Sequence, residues 1–271
     1  MNLLPAIAIF SAAVVFALGE RRLAGSRRRR ERGWRAQAFY LGLAALFVAL
    51  EPPLDDLADR LFWAHMFQHM LLQMVVPPLI LLGAPWLQLW RVVPLAVRRR
   101  LAGSLVHSAR LRLVSRILTR PSIAWLLFLG AIAVSHLPTI FDYALRHEAF
   151  HQAEHVVFLA LGLLFWSRAI DSPPFRARLQ PAGAVLFFGA AIAAESLLAL
   201  AIMGAHAPLY RPYATLQPRP EGLSALADQE FGGSFMFEPG SLPLLLAFVW
   251  SLRRWLAAAP RPQATRAQPL R

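Results

Sequence analysis

Trp63-Ala64-His65-Met66-Phe67-Gln68-His69-Met70-Leu71-Leu72-Gln73-Met74-Val75-Val76-Pro77-Pro78 places two histidines and three methionines at the head of a segment apolar enough to lie in a membrane. A helix advances about 100° per residue, so His65, His69 and Gln73 fall within about 80° of one another, with Met66 and Met70 flanking them. Imidazole and thioether then share one side of a buried helix. Pro77-Pro78 removes backbone donors and predicts a kink about two turns below His69.

The surrounding composition agrees with a membrane setting, since 57% of the 271 residues are hydrophobic. The formal charge is +13, and all 28 basic residues are Arg. In a membrane protein such an excess marks cytoplasmic loops rather than a nucleic-acid surface. The chain has no Cys, which excludes disulfides, thiolate catalysis and thiolate metal sites. Any metal must use His, Met, carboxylate or backbone oxygen. The N-terminal apolar run is followed, not preceded, by Arg21, Arg22 and Arg27 to Arg30, which reads as a retained first span rather than a cleaved signal.

A span needs roughly 20 helical residues. Seven segments qualify, at 2-19, 36-51, 61-83, 122-138, 149-168, 181-205 and 240-257. The expected fold is therefore all-α, a single polytopic seven-helix membrane domain over 1-257 with a flexible tail at 258-271. The connections at 20-35 and 84-121 hold eight Arg each, whereas 52-60 and 139-148 are acidic or balanced. Arginine bias in short loops sets orientation, so the N-terminus is expected outside and the C-terminus in the cytoplasm. Residues 87-118 read as a basic amphipathic helix on the inner leaflet, broken at Pro94 and Gly103. Residues 206-239 read as an outer loop packed as a lid.

This topology places His65 and His69 in the outer turns of span three, and His136 at the outer end of span four. His147, His151 and His155 enter span five from outside on one helical face, with Glu154 beside them. His206 leaves span six on the same side. Only His107 is cytoplasmic, so seven of the eight histidines gather outside. In span six, Glu195 lies about 16 Å below His206 and shares its face, with Met203 nearby. An ionisable group at that depth marks a site or a pathway. Imidazole suits copper, zinc or iron; thioether prefers Cu(I), which tilts the choice towards copper.

Several stretches resemble the CtaG-type cytochrome c oxidase assembly proteins: His65-Met66-Phe67-Gln68-His69-Met70-Leu71-Leu72 running into Pro77-Pro78, then Ser135-His136-Leu137-Pro138 with Phe141-Asp142-Tyr143-Ala144. His151-Gln152-Ala153-Glu154-His155 leading to Gly162-Leu163-Leu164-Phe165-Trp166, and Asp228-Gln229 with Gly232-Gly233 and Met236, complete the likeness. Phe237 stands where the family pattern has Trp. The proteobacterial copper chaperone that shares the CtaG name is a single-span protein with Cys ligands and is not similar to this chain. The resemblance implies a membrane assembly factor that helps install copper in the oxidase, with oxidase subunits and a copper donor protein as partners.

The expected function is thus a non-enzymatic factor in the bacterial plasma membrane. Copper is expected at an outward His-rich site of His65, His69, His151 and His155, with Met66 and Met70 as softer contacts and His136, His147 and His206 as further candidates. Glu154 is a candidate for orienting a ligand histidine. Asp142 and Asp228 are secondary candidates. Two alternatives stand beside it: a zinc hydrolase with Glu154 or Asp142 as general base, and a copper permease with Glu195 and Met203 lining an inward path.

Overall fold

The computed structural model describes residues 3–22, 29–216 and 222–258, so most of the expected tail at 258-271 lies outside the described residues. Every regular element among the described residues is helical: α1 Leu4–Arg22, α2 Arg29–Leu50, α3 Leu54–Ala58, α4 Phe62–Met70, α5 Val76–Gly83, α6 Trp86–Val92, α7 Leu95–His107 and α8 Ala109–Leu118 come first. Then come α9 Pro121–Ser135, α10 Pro138–Arg146, α11 Glu148–Trp166, α12 Pro181–Met203, α13 Arg211–Thr215, α14 Ala225–Phe235 and α15 Leu242–Ala258.

Six helical stretches are long and apolar enough to cross a membrane, and a seventh is added if α8 and α9, bent by 71°, form one span. The expected fourth span at 122-138 is the short one. Its helix α9 has 15 residues, or about 22 Å at 1.5 Å per residue, less than a hydrocarbon core of about 30 Å. Pro138 explains the stop: it opens the next helix, α10, and holds Leu137 extended. The last span is the long one, running from Ala225 to Ala258. The second half of the loop expected at 206-239 is therefore helix, continuous with that span through a π segment at Met236–Gly240.

The basic segment at 87-118 is three helices, α6, α7 and α8. Val93 is extended before Pro94, which ends α6. Ser108 starts α8 by accepting from the Leu111 N–H at 3.2 Å. Gly103 lies inside α7 and breaks nothing.

The third span runs from α4 through a π segment, Leu71–Val75, into α5. Here the Val76 N–H reaches back five residues to the Leu71 carbonyl. Pro77 and Pro78 have no N–H, and the Gln73 carbonyl, four residues before Pro77, accepts instead from the Trp166 indole at 3.0 Å. Gly162, one turn earlier on α11, makes room: a Cβ there would stand 2.7 Å from Pro77 Cγ. The double proline is thus absorbed by a π turn and by α11. The span stays buried among α2, α11 and α14, its central position in the bundle.

Candidate metal centre

The head of α4 is held from across the bundle. Asp228 on α14 accepts from the Phe62 N–H at 2.9 Å and the Trp63 N–H at 3.1 Å. Those amides have no partner within their own helix, so a carboxylate capping both fixes where α4 begins. Gly232 and Gly233 let α14 come close enough to do so. A Cβ at Gly232 would stand 2.5 Å from the Phe62 ring, and one at Gly233 would stand 2.6 Å from Met203 Cγ. Gln68 secures the other side by donating to the Ala49 carbonyl and to Asp55, each at 2.8 Å. Asp228, Met203 and Gln68 thereby serve the frame of the site and are not in its ligand cluster.

That frame brings α4 against α11. His65, His69 and His151, all buried, each offer a ring nitrogen within 4.8 Å of the others. Two imidazole nitrogens on one tetrahedral ion at ~2.0 Å stand roughly 3.3 Å apart, so small ring rotations bring the three to a common centre. His155 adjoins them, its ring centroid 4.3 Å from that of His151 and 5.3 Å from that of His69. Both ring nitrogens of His69 and of His155, and Nε2 of His151, are buried without a hydrogen-bond partner among the described residues. Buried polar atoms are nearly always paired, so a cluster of five orphans in one place marks a site built to hold something.

His65 is oriented from the segment that follows α12. Tyr213 on α13 donates its hydroxyl to the Ala58 carbonyl at 2.6 Å and lies 3.0 Å from His65 Nδ1. With its own proton on Ala58, the hydroxyl accepts from His65 Nδ1–H, which leaves the lone pair on Nε2. Burial first, then the Asp59 and Asp228 carboxylates, hold the Tyr213 phenol well above its usual range, so it keeps that proton. Neither Tyr210 nor Tyr213 is marked as functional by sequence. Their only signal is two aromatic residues three apart in a loop otherwise rich in Pro and Gly.

The other candidates separate. His136 is buried, but its Nδ1 pairs with the Ile132 carbonyl at 2.7 Å and its Nε2 faces Met66 Sδ at 3.3 Å, so it is not one of the converging imidazoles. His147 is the cap of α11 rather than part of it, and its ring turns back to the Tyr143 carbonyl at 2.9 Å and stacks on Tyr143. His206 lies beyond the end of α12 at Met203 and is exposed, so it does not share a helical face with Glu195. Asp142 is engaged with the Arg211 N–H at 3.2 Å and the Arg146 guanidinium at 3.6 Å. Glu154 is half-buried on α11 and makes no hydrogen bond to the histidines. Met70 and Glu195 line a small adjoining cavity with Met66, His136 and His69 of the cluster.

The histidine pair on α4, its partners on α11 and the cap from α14 lie in the stretch matched by the model of the cytochrome c oxidase caa3 assembly factor family, residues 14–258. The chain belongs to that family. Among curated proteins it is similar to uncharacterized proteins of Mycobacterium bovis and Mycobacterium tuberculosis, each 27% identical over 256 residues, covering 91% of this chain and 38% of theirs. A protein of Mycobacterium leprae, also uncharacterized, is 25% identical over 258 residues with the same coverage. The chain therefore spans well under half the length of the curated relatives it matches. No solved structure matches it.

Proposed function

We propose that this protein is a cytochrome c oxidase assembly factor that holds copper at His65, His69, His151 and His155 and passes it on during assembly of the oxidase. Family membership supports the assembly role. The observation that carries the copper reading is the convergence of three buried imidazoles from two helices, with ring nitrogens of His69, His151 and the adjoining His155 unpartnered among the described residues. Neutral imidazole binds Cu(I) and Cu(II), and a site of a few nitrogens at a helix head can both take and release the ion. The bias of arginine towards the connection at 84-121, at the far end of the third span, supports a site facing the outer side of the bacterial plasma membrane. Oxidase subunits and a copper donor protein are the partners this role requires.

Metal content of the purified protein decides the matter. Copper should co-purify or titrate onto wild type and fall for His65→Ala and His69→Ala; low copper unchanged by either substitution rejects the reading. The zinc-hydrolase alternative needs a free carboxylate at the cluster; Asp142 is engaged with Arg211 and Arg146, which leaves Glu154 as its general base.

A further inference from the structure

Beneath the histidine cluster is a second concentration of soft donors. A cavity of about 20 Å³, room for one small ion, is lined by Met66, Met70, Met236, His69, His136 and Glu195. Four of its lining residues sit on irregular helix: Gln73 and Met74 in the π segment of the third span, Met236 and Gly240 in that of the last. Such π turns recur where helices are shaped around functional groups.

Two atoms in this cavity are paired in a way that neither can satisfy alone. The 2.7 Å bond from His136 to the Ile132 carbonyl puts the proton on Nδ1, so Nε2 carries a lone pair. It points at Met66 Sδ, another lone-pair donor, 3.3 Å away. Nitrogen and sulfur ligands of one tetrahedral ion, at ~2.0 and ~2.3 Å, stand roughly 3.5 Å apart. The observed separation is that of two ligands of a shared soft cation. Glu195 closes the far wall, 6% exposed and with Oε2 lacking a hydrogen-bond partner. A carboxylate there balances the charge of a monovalent ion in a medium that otherwise penalises it.

We propose that this cavity is a second, thioether-rich Cu(I) site, built on His136, Met66, Met70 and Met236. His69 joins the two sites, because it belongs to the outer cluster and also lines the cavity, and both of its ring nitrogens are unpartnered. The inner site rests on the copper reading for its choice of ion, but its geometry is independent of the outer histidines. Thioether binds Cu(I) and not Cu(II) or zinc with preference, so the inner site selects oxidation state where the outer one does not.

The test is anaerobic Cu(I) titration of the full chain in detergent against a competing Cu(I) chelator, combined with X-ray absorption at the selenium edge of selenomethionyl protein, which needs no substitution. Wild type should bind about two Cu(I), and selenium should acquire a copper neighbour. Met66→Leu with Met70→Leu and Met236→Leu should remove that neighbour and about one equivalent, while copper bound by nitrogen stays. His65→Ala with His151→Ala should remove the other equivalent and leave the selenium–copper signal. No copper neighbour at the selenium edge of loaded wild type overturns the inner site, as does a signal that survives Met66→Leu with Met70→Leu and Met236→Leu. Loss of the outer reading shows differently: the His65→Ala, His151→Ala protein then binds as much copper as wild type.

Discussion

The indole N–H of Trp166 donates to the carbonyl of Gln73 at 3.0 Å, taking the place of the donor that Pro77 lacks. One side chain of α11 thus repairs the helix that carries His65 and His69, and it does so from the same helix that carries His151 and His155. The two halves of the histidine cluster are aligned by this bond and by the close fit of Gly162 on Pro77.

Trp166→Phe keeps the ring but leaves the Gln73 carbonyl buried and unbonded, at a cost of about 1–3 kcal/mol. Thermal unfolding in detergent should show a clearly lowered midpoint. An unchanged midpoint means that the carbonyl finds another partner.

Gly162→Ala acts on the same contact by sterics. Its Cβ would meet Pro77 Cγ at 2.7 Å, so α11 must shift, with a cost of about 1–3 kcal/mol. Because the shift separates α11 from α4, copper affinity should fall together with stability; a stable variant with wild-type affinity contradicts the alignment argument.

Tyr213→Phe removes the hydroxyl that orients His65 while keeping the buried ring. Loss of such an outer partner typically lowers metal affinity about 10–100-fold. Chelator competition should register this with little loss of structure by circular dichroism, and undiminished affinity would show that His65 is held by packing alone.

Asp228→Ala exposes two helix-start amides of α4 to a site with no replacement acceptor, a cost of about 1–3 kcal/mol. Asp228→Asn retains one acceptor oxygen and should lie between Ala and wild type. Equal midpoints for Ala and wild type would remove Asp228 from the frame of the site.

His147→Ala and His206→Ala should leave copper stoichiometry as in wild type, because neither ring reaches the cluster. His151→Ala should lower it. Metal analysis of the three variants side by side separates histidines that meet from histidines that merely share a side of the sequence topology.

Much of this arrangement was legible in the chain itself. Apolar runs of about 20 residues are a local property, and they located five of the spans within a few residues. They placed the helix of the fourth within three residues as well, and missed only its shortness and the helical run that leads into the last. Hydropathy does not register that Pro138 ends α9 early, nor that Ser224 caps a helix by accepting from the Ala227 N–H at 3.0 Å and so starts the last span far upstream. His65 with His69, and His151 with His155, are pairs four apart, and helical periodicity alone puts each pair on one face.

What periodicity leaves open is the rotation of one helix against another. That rotation decides that α4 meets α11, and it is set by distant contacts: Asp228 on the α4 amides, Trp166 on Gln73 and Gly162 on Pro77. The π segments add a further offset, since a turn closed over five residues displaces everything beyond it from the face that a regular helix would give. Met66, by sequence a flanking residue of His65 and His69, ends opposite His136 at the close of α9, a meeting that the packing of the helices sets. The opening stretch from Trp63 to Pro78 determined a buried, histidine-bearing membrane helix. Only the tertiary structure decided that its histidines join those of α11 while its methionines face His136, because side chains far apart in sequence meet through packing, which no local pattern records.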